Sequence, residues 1–250
     1  MEKILIIKNT FKIHPFYFFA AFICSITGKF KGFLIFNLII IIHELGHILT
    51  AIILKWKIEK IVILPFGAIT IFNEKINRPV KEEFLIAIFG PIFQIVLSIC
   101  INSETILNYS NALLLFNLLP IWPLDGAKIL NLILNKFLSF KKSHLMTIYI
   151  SFIIILVVII KSNLNLILTL ILSLILTKVI EEYKNHNNIF QKFLLERYMY
   201  DLPFKKSKTI KSLNLNKMQR DYRHIFYNGK IYVTEREILK KKFDFTRKTW

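Results

Sequence analysis

A chain of 250 residues with 54% hydrophobic content and 23 phenylalanines is too apolar for an ordinary soluble domain. Its formal charge of +18 is spread evenly, with seventeen basic and eight acidic groups in residues 1–180 and the same numbers in 181–250. Cys24 and Cys100 stand on separate apolar segments without a CxxC pair, so no disulfide framework is implied.

Phe16 to Thr27 is a short apolar stretch with no small-residue cleavage site after it, and it reads as an anchor, not a removed signal peptide. Gly32 to Leu54 is long enough to cross a bilayer. Ile58 to Leu64 and Ala68 to Phe72 are β-branched runs around Pro65-Phe66-Gly67. They fit a membrane-edge hairpin that accepts an extended substrate as an added strand near Phe66 and Gly67, or an ordinary connecting loop. Phe84 to Ile101 is a further span interrupted by Gly90-Pro91, and Ala112 to Ile121 is a half-length stretch that ends in prolines. Lys128 to Phe140 has apolar residues at helical spacing with lysines between them, which suits a helix on the membrane surface or one packed in a core. Leu145 to Ile160 and Leu164 to Ile180 complete the series, the last running into Glu181-Glu182-Tyr183-Lys184.

The pattern predicts a polytopic α-helical membrane protein with about six transmembrane helices, a short membrane-edge β-hairpin and a small cytoplasmic α/β tail. The expected division is a transmembrane core over residues 1–184 and a basic tail over 185–250, where Arg223 to Lys242 holds one strand-then-helix unit. Lysines crowd the N-terminus and alternate connections, at Lys55, Lys57 and Lys60 and again at Lys136, Lys141 and Lys142, which places both termini in the cytoplasm. The tail has no zinc-finger or Gly-rich aromatic signature, so anionic lipid headgroups, not nucleic acid, are its expected contact.

His43-Glu44-Leu45-Gly46-His47 lies inside the Gly32–Leu54 span. Two histidines four apart share one face of a helix and can reach one metal ion. A glutamate beside the first can take a proton from a water that the metal activates. Ionisable groups at bilayer depth are expensive and usually functional. Asn117-Leu-Leu-Pro120-Ile-Trp-Pro123-Leu-Asp125-Gly126 contains the only aspartate in the first 200 residues. Its prolines and glycine forbid a regular helix. Irregular backbone at that depth must be buried in protein or line a wet cavity. Asp125 fits a third metal ligand that leaves a fourth position open; it also fits a plain helix cap.

Taken together, the two motifs resemble the site-2 protease family of intramembrane zinc metalloproteases, and within it the stage IV sporulation branch. Ile13-His14-Pro15 and Leu64-Pro65-Phe66-Gly67 add to the likeness, which covers roughly residues 10 to 200. The resemblance implies one zinc held by His43, His47 and Asp125, with Glu44 as the base, Asn117 lining the site, and Pro120, Pro123 and Gly126 shaping the break. It implies removal of the pro-segment of pro-sigma-K at the mother-cell membrane around the forespore. It also implies regulation by two membrane inhibitors, stage IV sporulation protein FA and BofA. Ala68 and Gln94 stand where the family often has Gly and Asn, and the tail is too short for the full CBS domain of that branch. The rival expectations are a general site-2 protease acting on an anti-sigma factor or signal-peptide remnants, and a zinc-binding transporter or sensor. His14 reads as an interfacial residue or as one that supports the metal ligands from behind, and His144, His186 and His224 lie outside the expected core.

Overall fold

In the computed structural model, which describes residues 11–64, 67–73, 75–101, 103–161, 166–204 and 206–245, helices form on the apolar runs and strands on the short β-branched ones. The elements in order are β1 (Phe11–Ile13), α1 (Pro15–Ile26), α2 (Phe30–Ile53), β2 (Ile58–Leu64), β3 (Gly67–Phe72), α3 (Val80–Cys100) and α4 (Glu104–Asn117). There follow α5 (Asp125–Phe137), α6 (Phe140–Lys161), α7 (Leu166–Met199), β4 (Lys206–Ile210), a 3-10 turn (Leu215–Lys217), β5 (Tyr222–Tyr227), β6 (Tyr232–Thr234) and α8 (Glu235–Phe245). They group into two compact units, residues 1–74 with 84–118, and 75–83 with 119–250.

Three of the described helices, α2, α3 and α6, are long and apolar enough to cross a membrane. The 12 residues of α1 and 14 of α4 reach about 18 and 21 Å, short of the roughly 30 Å hydrocarbon core. The apolar start of α7 is the first part of a 34-residue helix that runs on through Glu181 and Lys184.

In the first unit, α2 buries Asn37, Ile40, His43, Gly46, His47 and Thr50 along one stripe. Leu34, Leu38, Ile41, Leu45, Leu49 and Ile52 form an exposed apolar stripe elsewhere on the helix. That division suits a helix with protein on one side and lipid on the other. Ile39, Ile40 and Leu113 are the centre of an apolar cluster that joins α2, α3 and α4. The expected hairpin is present: β2 and β3 pair antiparallel, with Ile61 opposite Thr70. A third strand, β1, pairs parallel with β2, and the His14 amide extends that ladder by donating to the Ile63 carbonyl. The order is β1-β2-β3, so β3 is an edge among the described residues.

In the second unit, Ile121, Ile148, Ile155, Leu172 and Val179 form the core between α6, α7 and the chain just before α5. The break at 119–124 finds partners for its backbone there. The Trp122 amide donates to Ser151 Oγ at 3.0 Å and the Leu124 amide to the Ile121 carbonyl. Irregular chain at this depth is tolerated on that condition.

The C-terminal body is larger than the strand-helix unit expected from Arg223 to Lys242. Strand β4 runs parallel to β5, and β5 antiparallel to β6. Phe193, Leu194, Met218, Phe226 and Leu239 close its core with Phe140 and Phe190. Arg197 stands at the centre of a buried network. Its guanidinium donates to Glu235, Asn77 and the carbonyls of Gln219 and Tyr222. Glu196 accepts from the amides of Ile76 and Asn77, and Asp221 from the Val80 amide at the start of α3.

Candidate metal centre

Helical spacing places His43 and His47 on the buried stripe of α2, and their Nε2 atoms stand 3.1 Å apart. The other nitrogen of each ring is taken. His43 Nδ1 meets Gln94 Oε1 at 2.8 Å, and His47 Nδ1 meets the Ile86 carbonyl at 2.7 Å. Both partners are acceptors, so both Nδ1 atoms carry the proton and both Nε2 atoms present lone pairs. Two lone pairs at that separation repel unless a proton or a metal ion lies between or beside them. Buried imidazoles held by an acceptor at the far nitrogen are a usual arrangement for metal ligands. The donor set therefore fits a metal ion.

Gln94 is fully buried. Its amide nitrogen donates to the Ser110 carbonyl at 2.6 Å and to Ser110 Oγ at 3.2 Å. That fixes which end of the amide faces His43. Ser98 Oγ joins the same cluster, 2.6 Å from Ser110 Oγ. The departure from Asn to Gln at this position thus keeps an amide with a defined task.

Two glycines allow the helices to meet. A Cβ on Gly46 would strike the Phe89 carbonyl, and one on Gly90 would strike the His47 ring. Small residues let backbones approach in this way. Pro91 lacks the amide that would bond the Ala87 carbonyl. One residue before Ala87, Ile86 offers its carbonyl to His47.

Glu44, next to His43, receives a hydrogen bond at Oε2 from Thr70 Oγ1 at 3.1 Å. Asn117 ends α4, with its Nδ2 3.5 Å from His43 Nε2. Gly67 begins β3, whereas Phe66 lies outside the described residues. All of these positions belong to the first unit.

Asp125 belongs to the second. It is the first residue of α5 and is 7% exposed, with Oδ1 3.2 Å from Lys128 Nζ. Leu124 occupies the cap position, so Asp125 is not the N-cap residue. Pro120 and Pro123 lie in the irregular chain before it, and Gly126 is buried in its first turn. Of the histidines expected to lie outside the site, His144 meets Glu182 at 2.8 Å and His224 meets Glu235 at 3.1 Å. Sequence reasoning missed Thr70, Ser98, Ser110 and Ser151. A hydroxyl on a strand or an apolar helix carries no pattern of its own.

This chain is similar to several known proteins. The model of Peptidase family M50 matches residues 31–103. Stage IV sporulation protein FB of Bacillus subtilis (strain 168) is 35% identical over 214 residues, covering 79% of this chain and 74% of that protein. A zinc metalloprotease of Methanocaldococcus jannaschii is 32% identical over 126 residues, covering 44% of this chain and 36% of that one. The solved structure of the site-2 protease from Methanocaldococcus jannaschii superposes with a TM-score of 0.53 at 26% identity, covering 69% of this chain and 89% of that chain.

Proposed function

Because this chain belongs to peptidase family M50 and is an intramembrane zinc metalloendopeptidase of the site-2 protease type, we propose that His43, His47 and Asp125 hold its zinc, with Glu44 as the general base. We propose further that its substrate is the membrane-associated precursor pro-sigma-K. The observation that carries the site is the approach of the two Nε2 atoms to 3.1 Å, with both far nitrogens already bonded. Family membership takes the place of the transporter or sensor expectation.

Two imidazoles and one carboxylate are a donor set of the catalytic zinc type, with a fourth position left for water or substrate. When bound, zinc lowers the pKa of water towards ~7 and polarises the scissile carbonyl. Glu44 takes the proton of the attacking water and returns it to the leaving amine. Asn117 donates its amide to the oxygen that becomes negative. Gln94 and the Ile86 carbonyl hold the imidazoles in orientation throughout. A substrate segment unwinds and adds to the edge of β3, beginning near Gly67.

Six spans lie in the membrane, with α1 and α4 the short ones that do not cross its hydrocarbon core as straight helices alone, and both termini and the body of residues 185–250 are cytoplasmic. The lysine distribution supports this arrangement. A sporulation role is supported by the likeness to stage IV sporulation protein FB. By the same likeness the membrane is that of the mother cell around the forespore, and stage IV sporulation protein FA and BofA are the inhibitors.

Co-expression with tagged pro-sigma-K, free of inhibitors, tests the proposal. Wild type shortens the precursor, while Glu44→Gln and Asp125→Asn leave it intact. If wild type carries zinc and leaves the precursor whole, the substrate assignment fails and a general site-2 protease remains. Its tagged substrates to try are then an anti-sigma factor and signal-peptide remnants.

A further inference from the structure

Thr70 stands on the edge strand β3, and its hydroxyl reaches a carboxylate on another element, Glu44 Oε2, at 3.1 Å. The hydroxyl of Thr50 and the amide of Asn37 on α2 behave differently. Thr50 donates to the Gly46 carbonyl and Asn37 to the Phe33 carbonyl, each one turn back on its own helix. Those bonds merely satisfy a polar group locally.

The register shows which way Thr70 faces. It lies directly across from Ile61, which is 4% exposed, and cross-strand partners share a face. Thr70 is thus on the inner face of the sheet, while the next residue, Ile71, is exposed. A β-branched residue suits a strand at this place, and valine would suit it equally. Only the hydroxyl distinguishes threonine there, and the hydroxyl is the group that meets Glu44.

We infer that Thr70 is a positioning residue: it holds the Glu44 carboxylate and ties its orientation to strand β3. The inference rests on the reading of Glu44 as the base and β3 as the strand that receives substrate. A glutamate side chain has three rotatable bonds, and a bond from a rigid strand selects among its rotamers. One carboxylate oxygen is then engaged by Thr70, and the other is aimed by the same bond. Because the donor belongs to the receiving strand, a substrate segment that pairs with β3 also steadies the base. A poorly seated segment leaves β3 less ordered and the base less well aimed. Turnover is therefore sensitive to how a segment pairs with β3 as well as to the residues at the cleaved bond.

Thr70→Val keeps the shape and removes the hydroxyl, and Thr70→Ser restores it. The full chain is purified in detergent, and the melting temperatures of both variants are compared with wild type to confirm the fold. The first readout uses tagged pro-sigma-K. Thr70→Val is expected to lower kcat by tenfold or more with KM within twofold of wild type, and Thr70→Ser to recover to within threefold. The second readout needs no substrate. In protein loaded with Co2+, the visible bands of Thr70→Val shift from those of wild type, because Glu44 beside His43 changes the surroundings of the metal, and Thr70→Ser keeps the wild-type spectrum. If Thr70→Val matches wild type in both kcat and spectrum, the inference is wrong. It is also wrong if wild type fails to cleave and the cobalt spectra of the three proteins coincide. A wild-type chain that fails to cleave while the spectra still separate Val from Ser overturns only the substrate assignment.

Discussion

Replacing Gln94 by leucine keeps most of a fully buried side chain and removes only its amide. Three hydrogen bonds go with it: the acceptor for His43 Nδ1 at 2.8 Å, and then the donor to the Ser110 carbonyl at 2.6 Å and to Ser110 Oγ at 3.2 Å. Loss of the amide donor leaves the Ser110 carbonyl short of a buried partner, which costs stability of about 1–3 kcal/mol. Loss of the acceptor for His43 acts on the metal. An imidazole without its far partner is free to turn and is less basic, and loss of such a partner typically weakens metal affinity by about 10- to 100-fold. That corresponds to roughly 1.4 to 2.7 kcal/mol of zinc binding. Gln94→Asn retains an amide on a shorter stem and falls between leucine and wild type. Zinc affinity is measured by competition with a chromophoric chelator on protein in detergent, with the melting temperature followed in parallel. A zinc dissociation constant for Gln94→Leu within twofold of wild type would refute the role given to this amide, whatever happened to the melting temperature.

Three further outcomes follow from named contacts. Gly90→Ala puts a methyl group into the His47 ring. Zinc content and cleavage should both fall by more than tenfold, whereas alanine at the exposed Gly28, where φ is +68°, adds backbone strain of about 1–2 kcal/mol outside the site and leaves zinc content unchanged. Acid should loosen the C-terminal body before the helices of the first unit. His224 takes the Gln219 amide on Nε2 and meets Glu235 with Nδ1, so it is held neutral, and burial pushes its pKa below the ordinary 6.5. Burial alone would raise Glu235, but the bonds from His224 and Arg197 outweigh it and hold the carboxyl below its ordinary 4.5. Both groups have folded-state values below their unfolded ones, so each contributes stability that is full above the unfolded value and is lost as pH falls. Hydrogen-exchange protection in β5 should therefore decline below about pH 6.5 and again below about pH 4.5, and a flat profile from pH 7.5 to 4 would contradict this. Arg197→Met strands Glu235 beside a neutral histidine and should destabilise the body by roughly 3–5 kcal/mol, read as a lower midpoint for its unfolding.

The parts of the proposed site that could be read in sequence are those with a period or a break. His43 and His47 follow from four-residue spacing in an apolar run, and Asp125 stands out beside prolines in a segment that cannot stay helical. The hairpin was legible because its two runs are β-branched and close together. What escaped depends on distant pairing. Strand β1 has three residues and takes its meaning from β2, about fifty positions later. Strand β4 reads Lys-Ser-Lys-Thr-Ile and buries only Ile210, so no alternation marks it. Helix α7 continues past Lys184 because Phe190, Phe193 and Leu194 provide a second apolar stripe, which the body's own core buries. Gln94 was visible as an amide in an apolar span, but its partner His43 lies fifty-one residues away and only the fold brings them together.

The most direct measurement of the whole account pairs zinc content with cleavage for Glu44→Gln. This change keeps the length and the neighbours of the side chain and removes the ability to accept a proton. About one zinc per chain is expected in wild type and in Glu44→Gln alike, with cleavage of tagged pro-sigma-K present in the first and absent in the second. Glu44→Gln protein that still cleaves, or wild-type protein that cleaves without zinc, would contradict this expectation.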